Sequence, residues 1–381
     1  MSRLAEDDCH LDDLREVVDE VTDVADYPLA TSVEQNVLMY DSDRLRSESV
    51  STRGQAELAR ALMDGPGIVV LRGAFADPGV VDRATDAFNA MISTQHASGE
   101  SAGDHFAKPG ANDRVWNALE KLALREPEAF AAYYANDMLA LVSLAWLGPG
   151  YQVTSQVNVV NPGGVAQTVH RDYHLGFMAN ERVEQYPTHV HRLSPVLTLQ
   201  GAVAHGDMPV ETGPTKYLPH SHKYLPGYLA WRRAEFGDHF ESNYVQLPLA
   251  KGDAVFFNPA LFHAAGHNRS ADVRRMANLL QISSAFGRAM ESVDRESMCN
   301  ALFPTLLEMR TAGTADDALR NVVAASAEGY AFPTNLDRDQ PVDGPAPTSQ
   351  AALVWQAVEE GWDPSVLRSA LTAYSDRRRT H

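Results

Sequence analysis

Cysteine is almost absent from this chain. Only Cys9 and Cys299 occur among its 381 residues, and they lie far apart in the sequence. Two cysteines at that separation supply neither a disulfide framework nor the clustered thiolates of a zinc site. The fold must therefore be stabilised by an apolar core, and 44% apolar residues are enough to build one large domain or two small ones. The low cysteine content fits a reducing compartment.

Long apolar runs and an excess of positive charge are missing as well. No stretch approaches the roughly 20 apolar residues that a membrane-spanning helix requires, and the first residues lack the apolar segment of a signal peptide. The 32 basic and 50 acidic residues give a net charge of -18, which disfavours binding to nucleic acid or to an anionic membrane surface. We therefore expect a cytoplasmic protein with no nucleic-acid or membrane partner.

The sequence does contain a compact set of metal-binding residue types. His170 and Asp172 stand two residues apart in an extended segment, and residues at that spacing point to the same side of a strand. His263, in a later segment that ends in a turn, is the best candidate for a third ligand. Two histidines and one carboxylate leave the remaining positions of a metal open, which is the ligand set of non-haem Fe(II) oxygenases. The sequence therefore predicts His170, Asp172 and His263 as metal ligands.

Other histidines leave alternatives open. His174 lies on the predicted face of the first two ligands, so it could bind the metal or hydrogen-bond to a ligating imidazole. His267 competes with His263 for the third position. Three further histidines could form a different site: His205, His220 and His222.

The order of the predicted elements indicates the fold class. Mostly helical patterns precede residue 150, short strands separated by Gly, Pro and Asp follow, and helical patterns return near the C-terminus. This order predicts an α+β protein with a double-stranded β-helix, or jelly roll, flanked by N-terminal helices and followed by a helical C-terminal extension. The strands expected after a first one at 151–160 are 165–177, 196–205, 215–218, 244–249, 253–258 and 277–286. The domains expected are an acidic N-terminal segment, 1–54, a jelly-roll domain, 55–288, and the helical extension, 289–381.

Several motifs occur in a fixed order across residues 55–288. They are GIVVLRGAF at 67–75, WLGPG at 146–150, HRD at 170–172, TGPTKYLPHSH at 212–222, GDAVFF at 252–257 and LFHAAGHN at 261–268, with an arginine at 274. In combination they resemble the phytanoyl-CoA dioxygenase family of Fe(II)- and 2-oxoglutarate-dependent oxygenases. The resemblance implies a jelly-roll fold, an Fe(II) ion held by the three predicted ligands, and 2-oxoglutarate and O2 as cosubstrates.

The resemblance also assigns the cosubstrate contacts. Arg274 matches the arginine that pairs with the distal carboxylate of 2-oxoglutarate, and a guanidinium suits this role because it binds a carboxylate through two parallel hydrogen bonds. Arg275 is its competitor, since neighbours on a strand face opposite ways and only one can enter the barrel. The spacing from His263 favours Arg274. Family members often carry a hydroxyl residue where this chain has Ala265, which leaves a second contact open. The candidates are Gln156, Asn158, Gln200 and Thr215.

The implied reaction oxidises a small-molecule substrate and releases succinate and CO2. Related halogenases lack the carboxylate ligand, so Asp172 favours hydroxylation or another oxidation such as desaturation. Two alternatives are a cupin-like metalloenzyme that does not use 2-oxoglutarate and a non-catalytic jelly-roll binding protein.

Candidate substrate contacts come from loops around the predicted barrel. Lys108, Arg114 and Trp116 end a polar loop, and Lys216 is a further cation for a phosphate-bearing substrate. Three further residues could either line the cavity or pack in the core: Tyr173, Phe177 and Met178. The apolar stripe of the C-terminal helices favours packing on another surface, which makes a homodimer possible.

Overall fold

Two β-sheets form the centre of the computed structural model, which describes residues 3–48, 52–99, 111–342 and 344–380. The strands are β1 Ser32–Glu34, β2 Val37–Asp41, β3 Ile68–Arg72, β4 Asn112–Val115, β5 Gln152–Val160, β6 Thr198–Ala204, β7 Lys216–Leu218, β8 Val245–Gln246, β9 Ala254–Phe257, β10 Phe262–Ala264 and β11 Arg275–Ser283. The larger sheet has the order β1-β2-β3-β9-β6-β11-β5-β4, and the smaller sheet has the order β10-β7-β8. All neighbouring pairs are antiparallel except β2 and β3.

Helices cover the outer faces of both sheets. They are α1 Leu11–Val18, α2 Ser42–Glu48, α3 Thr52–Met63, α4 Pro78–Ser98, α5 Ala118–Arg125, α6 Pro127–Tyr134, α7 Asp137–Leu147, α8 Asn180–Val183, α9 Thr188–Leu193, α10 Gly227–Ala230, α11 Ala234–Asn243, α12 Arg295–Thr311, α13 Asp316–Ser326, α14 Gln350–Glu360 and α15 Pro364–Arg378. The local sequence determines where α4 begins and ends. Asp77 precedes the helix and its side chain accepts a hydrogen bond from the backbone N–H of Gly79, and Gly99 ends the helix in the left-handed conformation.

Three apolar cores follow from this layering. The largest lies between the larger sheet and the helices α3–α7 and α12–α15, and it includes Phe88, Phe130 and Leu302. A second core packs the outer side of the smaller sheet against α1, α10 and α11. A third lies between the two sheets, around Tyr217 and Phe257. The predicted α+β class with a jelly-roll core and a helical C-terminus is confirmed.

The segment 165–177, expected to be a strand, is mostly irregular. It contains a single isolated bridge, between His170 and His263, and a 3-10 turn at His174–Phe177. Tyr173 and His174 have φ of 61° and 42°, and a strand cannot continue through left-handed backbone. The segment expected as strand 244–249 is also reduced, to the two residues of β8.

The boundaries of the predicted domains are only partly visible in the fold. Within residues 1–54, strands β1 and β2 extend the larger sheet at its edge, so this segment is structurally continuous with the barrel. Helices α12–α15 pack into the core on the outer face of the same sheet. The numerical limits at residues 54 and 288 stay predictions.

Among the described residues, no single helix combines the length and apolar character needed to cross a bilayer. Helices α6 and α7 satisfy both criteria only when they are taken together, and they are bent by 61° at the break between them.

Candidate metal centre and cavity

The three predicted metal ligands converge at one end of the space between the sheets. The backbones of His170 and His263 exchange two hydrogen bonds, of 3.0 and 3.2 Å. The backbone N–H of Asp172 donates to the carbonyl of Pro259 at 3.2 Å, which fixes the segment two residues further on. One ligand atom from each of the three side chains lies within 4.8 Å of the others. Residues distant in the sequence are thus held at the spacing that a single metal ion requires.

Backbone carbonyls orient both imidazoles. Nδ1 of His170 lies 2.9 Å from the carbonyl oxygen of Thr168, and Nδ1 of His263 lies 2.9 Å from that of Leu261. A carbonyl oxygen only accepts hydrogen bonds, so each Nδ1 carries the proton and each Nε2 presents its lone pair. The two Nε2 atoms lie 3.7 and 3.4 Å from carboxylate oxygens of Asp172. This tautomer is the one that metal-ligating histidines adopt.

Charges and hydrogen bonds adjust the pKa values of two of these groups. Burial, followed by the nearby charge of His263, lowers the pKa of His170. Burial acts to raise the pKa of Asp172, but the nearby imidazoles of His170 and His263 and the hydrogen bond from Gln200 outweigh it and lower the pKa. Neutral imidazoles and an ionised carboxylate are the forms that bind a divalent cation. Two nitrogens and one carboxylate oxygen therefore fit Fe(II).

The alternative histidines lie elsewhere. Nδ1 of His174 hydrogen-bonds with Oγ of Ser194 at 3.1 Å, and within the described ranges the metal-ligand cluster contains only His170, Asp172 and His263. His205 lies between Thr85 and Tyr133 on the helix-facing side of the larger sheet. His220 contacts Thr22, and His222 contacts the carbonyl of Met63. The structure does not bring these histidines together as a second site.

A cavity of about 220 Å³ opens beside the three ligands. Its floor is formed by alternate residues of the larger sheet, with Ala277, Leu279 and Gln281 of β11 on the same face as Arg275. The predicted contacts Gln156, Asn158, Gln200 and Thr215 all line this cavity. Gln167 and Gln281 also line it and were not predicted. Neither residue could be assigned to the cavity from the sequence, because the assignment requires the pairing of their segments.

Gln200 contacts the metal site rather than standing free in the cavity. Its Nε2 donates to Oδ2 of Asp172 at 2.5 Å, while its Oε1 is buried without a partner. Gln156 accepts a hydrogen bond from Arg114 and donates one to Gln281. Oδ1 of Asn158 is buried without a partner. The cavity is therefore lined by carboxamides that orient the carboxylate ligand and one another.

The prediction that Arg274 enters the barrel is wrong. Its side chain is 51% exposed and pairs with Asp113 at 3.4 Å, and its Nε donates to Asn161. Arg275 enters instead. It is 7% exposed, lines the cavity, and its Nη1 is buried without a partner. The reason is the phase of β11, whose pairing with β5 turns 275 and every second residue after it towards the cavity.

The predicted substrate contacts are divided between the cavity and the core. Arg114, Trp116 and Phe177 line the cavity, whereas Lys108 lies outside the described residues. Tyr173 is buried, and Met178 packs against the core outside the smaller sheet. The Lys216 ammonium binds Glu241 at 2.6 Å and lies over the ring of Tyr244, so this lysine is committed outside the cavity.

Comparison with known proteins decides the family. A family model described as phytanoyl-CoA dioxygenase (PhyH) matches residues 52–276, which is more than half of the chain. The chain belongs to the phytanoyl-CoA dioxygenase family. The match includes the three ligand residues and Arg275 and ends before the C-terminal helices. This family comprises Fe(II)- and 2-oxoglutarate-dependent oxygenases and related enzymes that act on small molecules. No curated protein matches the sequence.

Several solved structures resemble part of this chain at low sequence identity. EvdMO1 is 18% identical with a TM-score of 0.43, and the match covers 60% of this chain and 50% of that one. SnoK, a non-haem α-ketoglutarate-dependent carbocyclase from nogalamycin biosynthesis, is 21% identical with a TM-score of 0.42, covering 60% of this chain and 83% of that one. HygX from Streptomyces hygroscopicus, solved with nickel and 2-oxoglutarate bound, is 15% identical with a TM-score of 0.41, covering 62% and 90%. The chain thus spans half the length of EvdMO1.

Proposed function

We propose that this enzyme hydroxylates or otherwise oxidises a small molecule in the cavity, with His170, Asp172 and His263 as the Fe(II) ligands and Arg275 as the anchor of 2-oxoglutarate. The convergence of one ligand atom from each of the three side chains within 4.8 Å carries the proposal. In the sequence, His170 and Asp172 come before all strands of the smaller sheet, whereas His263 belongs to its strand β10. Packing alone does not explain this grouping. Burying three polar side chains together is costly, and apolar residues would pack better there.

The buried guanidinium of Arg275 supports 2-oxoglutarate as the cosubstrate. Burial lowers its pKa to about 10, so it remains charged at neutral pH. Nη1 has no partner, and within the described part of the chain no carboxylate forms an ion pair with this arginine. Because this residue lines the cavity, a carboxylate bound there would supply the counter-charge that the guanidinium lacks. The distal carboxylate of 2-oxoglutarate would do so through two hydrogen bonds.

The roles of the remaining residues follow from their contacts. Bound Fe(II) and 2-oxoglutarate would supply the oxidising chemistry: one atom of O2 would enter succinate, CO2 would be released, and the other atom would reach the substrate in a hydroxylation. The carbonyls of Thr168 and Leu261 hold the imidazole rings in the ligating tautomer. Gln200 fixes one oxygen of Asp172 by donating to it. The other carboxamides and Trp116 form the walls against which a substrate would be oriented and shielded from water.

The two other candidate functions explain less of the cavity. A cupin-like metalloenzyme that uses no keto acid would leave Arg275 buried without a counter-charge. A non-catalytic binding protein would need neither that cation nor two histidines in the ligating tautomer. A cytoplasmic location is retained as part of the proposal, on the ground of cysteine content. The homodimer also stays a proposal, but the apolar stripe of α14 that suggested it (Val354, Ala357 and Val358) is buried in the core of this chain.

The test is reconstitution without oxygen. Wild-type protein is loaded with Fe(II) and titrated with 2-oxoglutarate while the weak visible charge-transfer absorption of the chelate is followed. We expect one equivalent of iron and a saturable band, then succinate release once O2 and a substrate from a small-molecule panel are added. Asp172→Ala should lose turnover. Stoichiometric iron without any band on adding 2-oxoglutarate would favour the cupin-like alternative, and the absence of bound iron would favour the binding protein.

A further inference from the structure

Arg171 lies between two metal ligands in the sequence but on the opposite side of the backbone. The side chains of His170 and Asp172 line the cavity, whereas Arg171 is 2% exposed and extends into the core behind the smaller sheet. Its Nη2 donates to the carbonyl of Ser221 at 2.5 Å and to that of Tyr224 at 2.9 Å. Both acceptors lie in the turn that follows β7.

Besides those carbonyls, the guanidinium lies against two aromatic rings. Its Cζ lies 5.1 Å from the ring centroid of Tyr228 and 5.0 Å from that of Phe262. No carboxylate in the described ranges forms an ion pair with it, and its Nε has no partner. A buried arginine without an acid is costly, so packing alone does not account for it. Its rigid planar fork does, however, hold two carbonyls and two rings in one arrangement.

Two glycines make room for this residue. A Cβ at Gly227, the first residue of α10, would overlap the guanidinium carbon and both terminal nitrogens of Arg171. A Cβ at Gly176 would overlap the carbonyl oxygen of Arg171. Neither glycine has a positive φ among those recorded, so backbone conformation does not require glycine at either position. The close approach of Arg171 does.

Arg171 connects the two separate pieces of the metal site. It is covalently joined to His170 and Asp172, and its guanidinium packs on Phe262, the neighbour of His263. The segment 165–177 forms no continuous strand, and its backbone is joined to the His263 segment at only a few points. The side-chain contacts of Arg171 add to these backbone hydrogen bonds. We propose that Arg171 is a positioning residue of the metal centre, which holds the His170–Asp172 segment at ligating distance from His263. This inference rests on the proposed function.

The test compares metal affinity in four proteins. Co(II) is titrated without oxygen into wild type, Arg171→Met, Gly227→Ala and Arg295→Met, followed by the cobalt absorption spectrum and by calorimetry. Arg295 is the matched control because it is also buried and donates only to carbonyls, those of Val153, Ala325 and Ser326, on the far side of the larger sheet. We expect both Arg171→Met and Gly227→Ala to weaken Co(II) binding about ten- to hundredfold and to change its spectrum, as losses of outer-shell support do.

The control and a double variant separate positioning from general stability. Arg295→Met should lower the melting temperature and leave the Co(II) dissociation constant within about twofold, since loss of a distant contact does not alter the metal ligands. The double variant Arg171→Met with Gly227→Ala should bind Co(II) no more weakly than either single variant, because both changes remove the same contact. Wild-type affinity in Arg171→Met overturns the proposal. If that variant does not fold, wild-type affinity in Gly227→Ala overturns it. No Co(II) binding by wild type would instead refute the metal centre itself.

Discussion

At this site, a shift of one residue along the strand decides whether an arginine side chain enters the cavity. Arg274 and Arg275 carry the same group, yet one is bound to Asp113 at the surface and the other is buried in the cavity. The sequence does contain a signal for the phase of this strand. Met276, Leu280 and Ile282 are the apolar residues that pack under the helices, and this places 275, 277, 279 and 281 on the opposite, cavity face. This alternation identifies the arginine that enters the cavity more reliably than the spacing from His263 does.

The first prediction compares the two arginines directly. Arg275→Met should raise the concentration of 2-oxoglutarate needed for half-saturation by about ten- to hundredfold, because two charge-assisted hydrogen bonds are lost. Arg274→Met should leave it within about twofold, since only an exposed ion pair is removed. Anaerobic titration of the Fe(II) enzyme measures both. A larger effect for Arg274→Met than for Arg275→Met would reverse the assignment.

His205 gives a second prediction, for the pH dependence of stability. Burial lowers its pKa to about 3, and its ring nitrogens hydrogen-bond with Thr85 at 2.8 Å and Tyr133 at 3.0 Å. Between that value and the ordinary pKa of about 6.5 the unfolded chain binds a proton that the folded chain excludes. The free energy of unfolding therefore falls as the pH drops below about 6.5, by roughly 2 kcal/mol at pH 5 from this residue.

The measurement is urea unfolding of wild type and His205→Gln between pH 7.5 and 5. Glutamine keeps a donor and an acceptor but does not titrate, so the variant should lose about 2 kcal/mol less than wild type over this range. Other buried histidines titrate equally in both proteins and cancel in the difference. Parallel stability curves for the two proteins would show that His205 is not excluded from protonation in the folded state.

At the scale of elements, the sequence predicted those that bury one face and missed those that depend on a distant partner. Strands β5, β6, β9 and β11 follow apolar patterns bounded by Gly, Pro, Asp or Asn, which the sequence shows directly. Strand β10 is three residues long and β4 four, and both exist only because β7 and β5 lie beside them. The segment carrying His170 and Asp172 has a strand-like composition, but positive φ at Tyr173 ends its extended path. The ligand pair was predictable; the support behind it was not.

The C-terminal helices give a third prediction at this scale. Leu367 of α15 is fully buried in the core that covers the larger sheet, and its neighbour Val366 is 50% exposed. Leu367→Ala should therefore lower the free energy of unfolding by about 2–5 kcal/mol through lost burial and a cavity. Val366→Ala should change it by less than about 0.5 kcal/mol. Denaturant unfolding checks both, and equal small effects would mean that α15 is not an integral part of the core.

At the scale of the whole molecule, the site exists only when the fold is complete. His170 and Asp172 come from an irregular segment, His263 from the smaller sheet, and Arg275 from the larger sheet. Only the folded chain brings them together, so ligands that bind this set must stabilise the fold by mass action, by about 2.7 kcal/mol at a hundred times the dissociation constant. Metal binding is thus linked to global stability as well as to activity.

The fourth prediction uses this linkage to test the ligand set without turnover. Excess Ni(II) with 2-oxoglutarate should raise the melting temperature of wild type by several degrees, because each kcal/mol shifts it by roughly 2 °C in a chain of this size. His263→Ala should show almost no shift. Arg275→Met should keep the shift due to Ni(II) alone and lose the further increase due to 2-oxoglutarate, since only the carboxylate anchor is removed. Differential scanning fluorimetry measures all three, and a full shift in His263→Ala would exclude this histidine from the metal site.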